Sequence, residues 1–189
     1  MPVANARDLF ISQLRDIYSA EKQAVRTYPR LAKAADSAAL RDAMQEHLEQ
    51  TRGQLERLDQ AFEALNARAG GKTCEGMKAL LQEAADLLQQ VESGPLLDAA
   101  LIAALQRVEH YEIAAYGTVA TLAGEMGKDG IRDLLDETLQ EEKDTDQKLT
   151  EIAGEVNSDA FGSQEDESAE QAQDEQSSQH QRGRNRKAA

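Results

Sequence analysis

An all-α fold, a four-helix bundle with a helical crossover connection, is what this sequence predicts, and three observations predict it. The 189 residues are rich in Ala, Leu, Gln, Glu and Asp, with 3 Pro, 3 Phe and no Trp, a composition of helices rather than sheets. Apolar residues recur at helical spacing along four long windows. Gly and Pro interrupt the pattern between windows.

The elements follow in order. Asn5 is placed to cap a first helix, with Asp8 in its first turn, where the helix dipole favours an acid. This helix reaches about Ala35, with Pro29 a point where it can kink. Its inner stripe is Phe10, Leu14, Ile17, Tyr18, Glu21, Val25 and Tyr28. Asp36 or Ser37 caps the second long helix, which runs to about Asn66 on a stripe from Leu40 to Phe62. Gly70-Gly71 break the chain. A shorter helix, roughly Glu75 to Glu92, occupies the connection, and Ser93-Gly94-Pro95 end it and start the next, with Pro at a tolerated first-turn position. The third long helix reaches about Met126 on a stripe of Leu101, Leu105, Val108, Glu112, Tyr116, Val119 and Ala123. Gly127 and Gly130 flank a tight turn. The fourth carries Ile131, Leu135, Thr138, Glu142, Leu149 and Ile152 inward. Short turns make antiparallel hairpins, and a long connection joins the two hairpins.

The bundle is thus expected over residues 1–156. From Asn157 the apolar period stops, and 157–189 read as a disordered acidic, Gln- and Ser-rich tail with a basic end at Arg182, Arg184, Arg186 and Lys187. A net charge of -14 argues against nucleic acid as a partner of the bundle. No window resembles a signal peptide or a membrane span, and the single cysteine, Cys74, excludes an internal disulfide. The expectation is a cytoplasmic protein.

Glu21, Glu112 and Glu142 interrupt three apolar stripes. A lone carboxylate in a core costs several kcal/mol unless paired or coordinated, so three on three helices point to a polyvalent cation. On a helical wheel Glu109 lies roughly 60° from the stripe centre of its helix, and Asp146 about 40° round from Glu142. Both can reach the interior, whereas His110 points away. Glu112 precedes the turn residue Lys128 by 16 positions and Glu142 follows it by 14, so the two face each other at nearly one level. On the second helix His47 is about 60° off the stripe centre and about one turn off in depth, while Glu49 matches in depth but points roughly 140° away. The candidate ligands are therefore Glu21, His47, Glu109, Glu112, Glu142 and Asp146. Oxygen donors with one imidazole suit iron or manganese, as one ion or two bridged by shared carboxylates, and do not suit structural zinc. Tyr18 and Tyr116 follow the core pattern with hydroxyls able to bond the carboxylates. The competing reading is a buried ion-pair network in which Lys22 and Arg52, at stripe edges, neutralise the inner acids.

The stretches Tyr18-Ser19-Ala20-Glu21-Lys22-Gln23, His47-Leu48-Glu49-Gln50-Thr51, Val108-Glu109-His110-Tyr111-Glu112-Ile113-Ala114-Ala115-Tyr116-Gly117 and Glu141-Glu142-Lys143-Asp144-Thr145-Asp146 resemble the YciE/YciF family of bacterial stress-associated proteins over about residues 5–155. The resemblance implies a ferritin-like bundle, a homodimer and a di-metal site. The function expected of the candidate ligands is ferroxidase or peroxide-consuming chemistry in stress defence. The alternative is a structural or interaction protein without bound metal. Ferritin-like di-iron sites draw a Glu-x-x-His pair from two helices. The equivalents here are read as Glu49-Gln50-Thr51-Arg52 and Glu142-Lys143-Asp144-Thr145, and neither carries the histidine.

Overall fold

The computed structural model describes the backbone of residues 3–185 and the side chains of residues 3–162. Five helices follow in order: α1 (Ala6–Ala34), α2 (Ala38–Ala64), α3 (Glu75–Gln90), α4 (Pro95–Glu125) and α5 (Asp129–Asn185). No strand occurs among the described residues. Helix α1 packs on α2 and α4, and α5 packs on the same two, so four helices close a ring. Helix α3 lies against α1 and α4. Among the described residues no helix is long and apolar enough to cross a membrane.

The helix ends follow local chemistry. Asn5 Oδ1 accepts from the Asp8 amide, and Ser37 Oγ accepts from the Leu40 amide, each satisfying a free first-turn donor. Helix α1 continues through Pro29, which is exposed. Pro95 opens α4 after Gly94, whose φ of 124° favours glycine. Gly127, at φ 63°, ends α4, and the Lys128 amide returns to the Ala123 carbonyl. Helix α5 runs past Asn157, where the apolar period stops, because no proline interrupts it and Glu, Gln and Ala sustain a helix without a stripe. Val156 and Ala160 are still buried. The expectation for the tail beyond these residues, its basic end included, falls on side chains outside the described residues.

Asp98, in the first turn of α4, is buried and accepts from the amides of Asp36 and Ser37 at 2.9 and 2.6 Å. It fixes the α1–α2 turn to the start of α4. Asp98→Ala leaves two amides without their charged acceptor and is expected to cost about 2–3 kcal/mol in chemical denaturation.

The apolar core is in two pieces. One gathers Ala24, Tyr28, Leu31, Leu40, Met44, Leu101, Leu105 and Leu149. The other gathers Phe10, Leu14, Ile17, Leu58, Phe62, Tyr116, Leu135 and Ile131. Each of the four ring helices runs through both. Between them lies a belt of buried polar residues: Glu21, His47, Thr51, Gln54, Glu109, Glu112, Thr138, Glu142 and Thr145.

Candidate metal centre

Each ring helix contributes to the belt at its middle. Helix α1 brings Glu21, α2 His47, α4 Glu109 and Glu112 one turn apart, and α5 Glu142. All are at most 4% exposed. His47, Glu109, Glu112 and Glu142 each offer one donor atom, and these four atoms lie within 4.8 Å of one another. Nε2 of His47 is 3.4 Å from Glu109 Oε1 and 3.6 Å from Glu142 Oε2.

The imidazole is oriented from behind. Its Nδ1 lies 3.2 Å from Gln50 Oε1, an acceptor, which assigns the proton to Nδ1. Thr145 Oγ1 is 3.1 Å from the same nitrogen and donates to Gln50 Oε1 at 3.5 Å. The lone pair of Nε2 is thereby turned on the carboxylates.

Two tyrosines hold the acids. Tyr116 donates to Glu21 Oε1 at 2.6 Å, and Tyr28 lies 3.4 Å from Glu109 Oε1. Tyr18, expected to do the same, packs edge-on against Phe62, and its hydroxyl meets Asp59 of α2 instead of an inner glutamate. Glu21 shares the interior but is not one of the four converging residues.

Electrostatics make the group unfavourable as it stands. Burial, then the Glu142 carboxylate, pushes Glu21 well above the usual carboxyl range against the Tyr116 hydrogen bond. Burial and Glu142 do the same to Glu109, and burial with Glu21 and Glu142 to Glu112. Burial also raises Glu142, with His47 and Gln54 pulling the other way. Both tyrosines are raised by burial and the facing carboxylates. Among the described residues, seven buried side-chain atoms have no hydrogen-bond partner, and six belong to this group: Glu21 Oε2, His47 Nε2, Glu109 Oε2, Glu112 Oε1 and both oxygens of Glu142.

Asp146 is not brought in. It is partly exposed on the α4 flank of α5, where His110 Nε2 and Gln106 Nε2 lie 3.2 and 3.3 Å from its oxygens. The rotation of about 40° that separates it from Glu142 carries it toward α4 and water, whereas Thr145, about 60° the other way, turns toward α2. Among the described residues no Lys or Arg neutralises the inner acids either. Lys22 is exposed over the Tyr18 ring, and Arg52 pairs with Glu49 on the surface. The Glu-x-x-His comparison shifts accordingly. The inward residue of α2 is His47, and three positions before it stands Met44, in the core. So α2 keeps the histidine and lacks the glutamate. Helix α5 keeps Glu142 and has Thr145 in place of the histidine. Sequence reasoning missed Gln50 and Thr145, which only their spacing of three residues from His47 and Glu142 could have marked, and it read Tyr28 as a stripe residue without a role at the site.

Known proteins give the family. Residues 5–161 match the family described as Domain of unknown function (DUF892). Protein YciF of Escherichia coli (strain K12) is 47% identical over 154 residues, covering 81% of this chain and 93% of that protein. The crystal structure of this E. coli stress protein superposes with a TM-score of 0.78, covering 80% of this chain and 96% of that one. YcfI from Rhodopseudomonas palustris gives 0.76 at 39% identity, covering 78% and 94%. A dodecameric thioferritin, the bacterioferritin-related protein from Bacteroides fragilis, gives 0.63 at 19% identity, covering 82% and 91%, and shares the fold alone. With an all-helical ferritin-like fold and these matches over most of its length, the chain belongs to the YciF (DUF892) family.

Proposed function

We propose that the belt is a binuclear metal-carboxylate centre for iron or manganese, set in a four-helix bundle whose crossover connection contains α3. The unpartnered atoms carry this reading. Six buried donor atoms on four helices have no hydrogen-bond partner among the described residues. Leaving them so costs several kcal/mol. Four carboxylates bring four negative charges, and two divalent ions bring four positive ones. Carboxylates with one imidazole match iron or manganese, and no thiolate stands among them to favour structural zinc.

In this reading His47, Glu109, Glu112 and Glu142 hold the ions, and Glu21 completes the charge balance from α1. Such ions, when bound, supply one-electron exchange with peroxide or oxygen. The chain supplies the rest. Gln50 and Thr145 keep Nε2 of His47 free to ligate. Tyr28 and Tyr116 hold protons at the edge of Glu109 and Glu21, kept on the phenols by burial and by the facing carboxylates. The two apolar core pieces exclude bulk water from above and below. The physiological role that fits is peroxide consumption or ferroxidase activity in stress defence, in a cytoplasmic homodimer whose domain ends near residue 156.

The second reading is a structural bundle without metal. It is favoured by one observation, that burial drives all four glutamates toward their neutral forms. Elemental analysis of protein purified without chelator separates the two. Bound iron or manganese in the wild type, lost in Glu112→Ala and Glu142→Ala, is the expected result. A wild type with background metal and no uptake of added Fe(II) or Mn(II) rejects the centre.

A further inference from the structure

Two seams join α5 to the ring, and the one with α2 is unlike the rest of the interior. Its buried side chains include Thr51 and Gln54 from α2 and Thr138 and Thr145 from α5. Uncharged polar residues stand where the core elsewhere uses Leu, Ile and Ala. Thr51 and Thr138 turn their hydroxyls back to the carbonyls of His47 and Leu134 at 2.8 and 3.4 Å; Thr51 lines the seam without bridging it, while Thr138 also accepts across it from Arg57. Gln54 is fully buried, and its Oε1 is the seventh unpartnered atom. Its Nε2 donates to Glu141 Oε2 at 3.1 Å, and Glu142 lies close by. Glu141 is partly exposed and is clasped by Arg57, whose two terminal nitrogens donate to it at 2.8 and 2.5 Å. The same guanidinium reaches Glu137 at 2.7 Å and Thr138 Oγ1 at 3.2 Å.

Gln54 thus stands between the outer Glu141 and the belt's Glu142, with its amide nitrogen toward both carboxylates and its Oε1 left free in the seam. A divalent ion gives up its water only where oxygen atoms replace it, and an apolar seam offers none. Resting on the metal reading above, we propose that divalent cations reach the centre between α2 and α5. Glu141 takes the ion from water, the free Oε1 of Gln54 hands it to Glu142, and Arg57 is the latch. While Arg57 holds Glu141, the outer carboxylate is engaged and the guanidinium charge repels cations. When Arg57 swings out, Glu141 is free and the route is open. A buried glutamine oxygen without a partner is a cost to the fold that transit of an ion explains.

Stopped-flow mixing of Co(II) with chelator-treated full-length protein, read by the visible absorbance of the bound ion, tests the route. Glu141→Gln removes the outer charge and is expected to slow uptake about tenfold. Gln54→Leu keeps the volume, removes the oxygen and slows uptake as well. Arg57→Gln removes the latch and speeds both uptake and release. Lys148→Ala breaks another α2–α5 pair, with Glu46, exposed and apart from Arg57, Gln54 and Glu141, and leaves both rates at the wild-type value. Thermal melts confirm that each variant is folded. If the three seam variants load at the wild-type rate to the wild-type stoichiometry, the route is wrong and the centre stands. If Lys148→Ala speeds exchange as much as Arg57→Gln, loosening of the helix pair is the cause and the latch is rejected. If the wild type binds no Co(II), the centre and the route fall together.

Discussion

Adding anaerobic Fe(II) or Mn(II) to chelator-treated protein near neutral pH is expected to raise its melting temperature by about 10–20 °C. The size follows from mass action. At a free concentration about 100 times the dissociation constant, one ion adds about 2.7 kcal/mol to stability, and two ions about twice that. In a chain of this length each kcal/mol moves the midpoint by about 2–4 °C. The cause is specific to the belt: the ions supply the positive charge that Glu21, Glu109, Glu112 and Glu142 lack, since none of them pairs with Lys or Arg among the described residues. Loading also displaces any protons these carboxyls hold, so the gain grows as pH rises. Calorimetry in the presence of each ion measures it. A midpoint that neither ion moves would remove the centre.

Without ions the pH dependence should run opposite to that of a protein stabilised by carboxylate ion pairs. All four glutamates are raised above their ordinary values, burial being the first cause in each. Across the interval between the ordinary and the raised pKa, the folded state binds more protons than the unfolded one. Stability is then full below about pH 4.3, the unfolded value, and falls as pH rises toward the raised values. Each unit of upward shift is worth about 1.4 kcal/mol. The double variant Glu112→Gln, Glu142→Gln removes two of the groups. It is expected to make the ion-free protein more stable near pH 8 and to flatten the slope. The same variant loses the rise in melting temperature on adding ions. One pair of substitutions thus stabilises the ion-free form and abolishes the loaded one. Urea titrations across the pH range decide this. Stability of the wild type that climbs from about pH 5 to pH 8 would contradict it.

The residues that sequence periodicity reaches are those whose burial depends on their own helix. Glu21, Glu112 and Glu142 stand at stripe centres, and a charge at a stripe centre is visible without knowing the neighbours. Glu109 and His47 follow from wheel angle, and the depth mismatch of His47 is absorbed within the belt. Asp146 shows where this reasoning ends. An angle measured from one axis tells how far a side chain turns but not which helix lies on that side. The turn toward α4 leads to His110, Gln106 and water. For the same reason Thr145 and Gln50 were invisible, because their partner is a histidine that only the packing of α2 on α5 brings near. Asp98 was hidden differently: an acid in a first turn already has a reason to be there, so nothing flagged its grip on a distant turn. Helix α5 extends past Asn157 because helix propensity does not require an apolar face.

A hydrophilic layer in mid-bundle has to be gripped from both directions, and that sets a minimum on how long the rods must be. Helices α1, α2 and α4 have 29, 27 and 31 residues, enough to cross one greasy end, the waist and the other end. The greasy ends alone specify how the rods assemble. The waist can therefore trade one donor for another, as Thr145 already illustrates, while the scaffold around it keeps its shape. Reactivity and architecture are written in different turns of the same helices, and each can drift without rewriting the other.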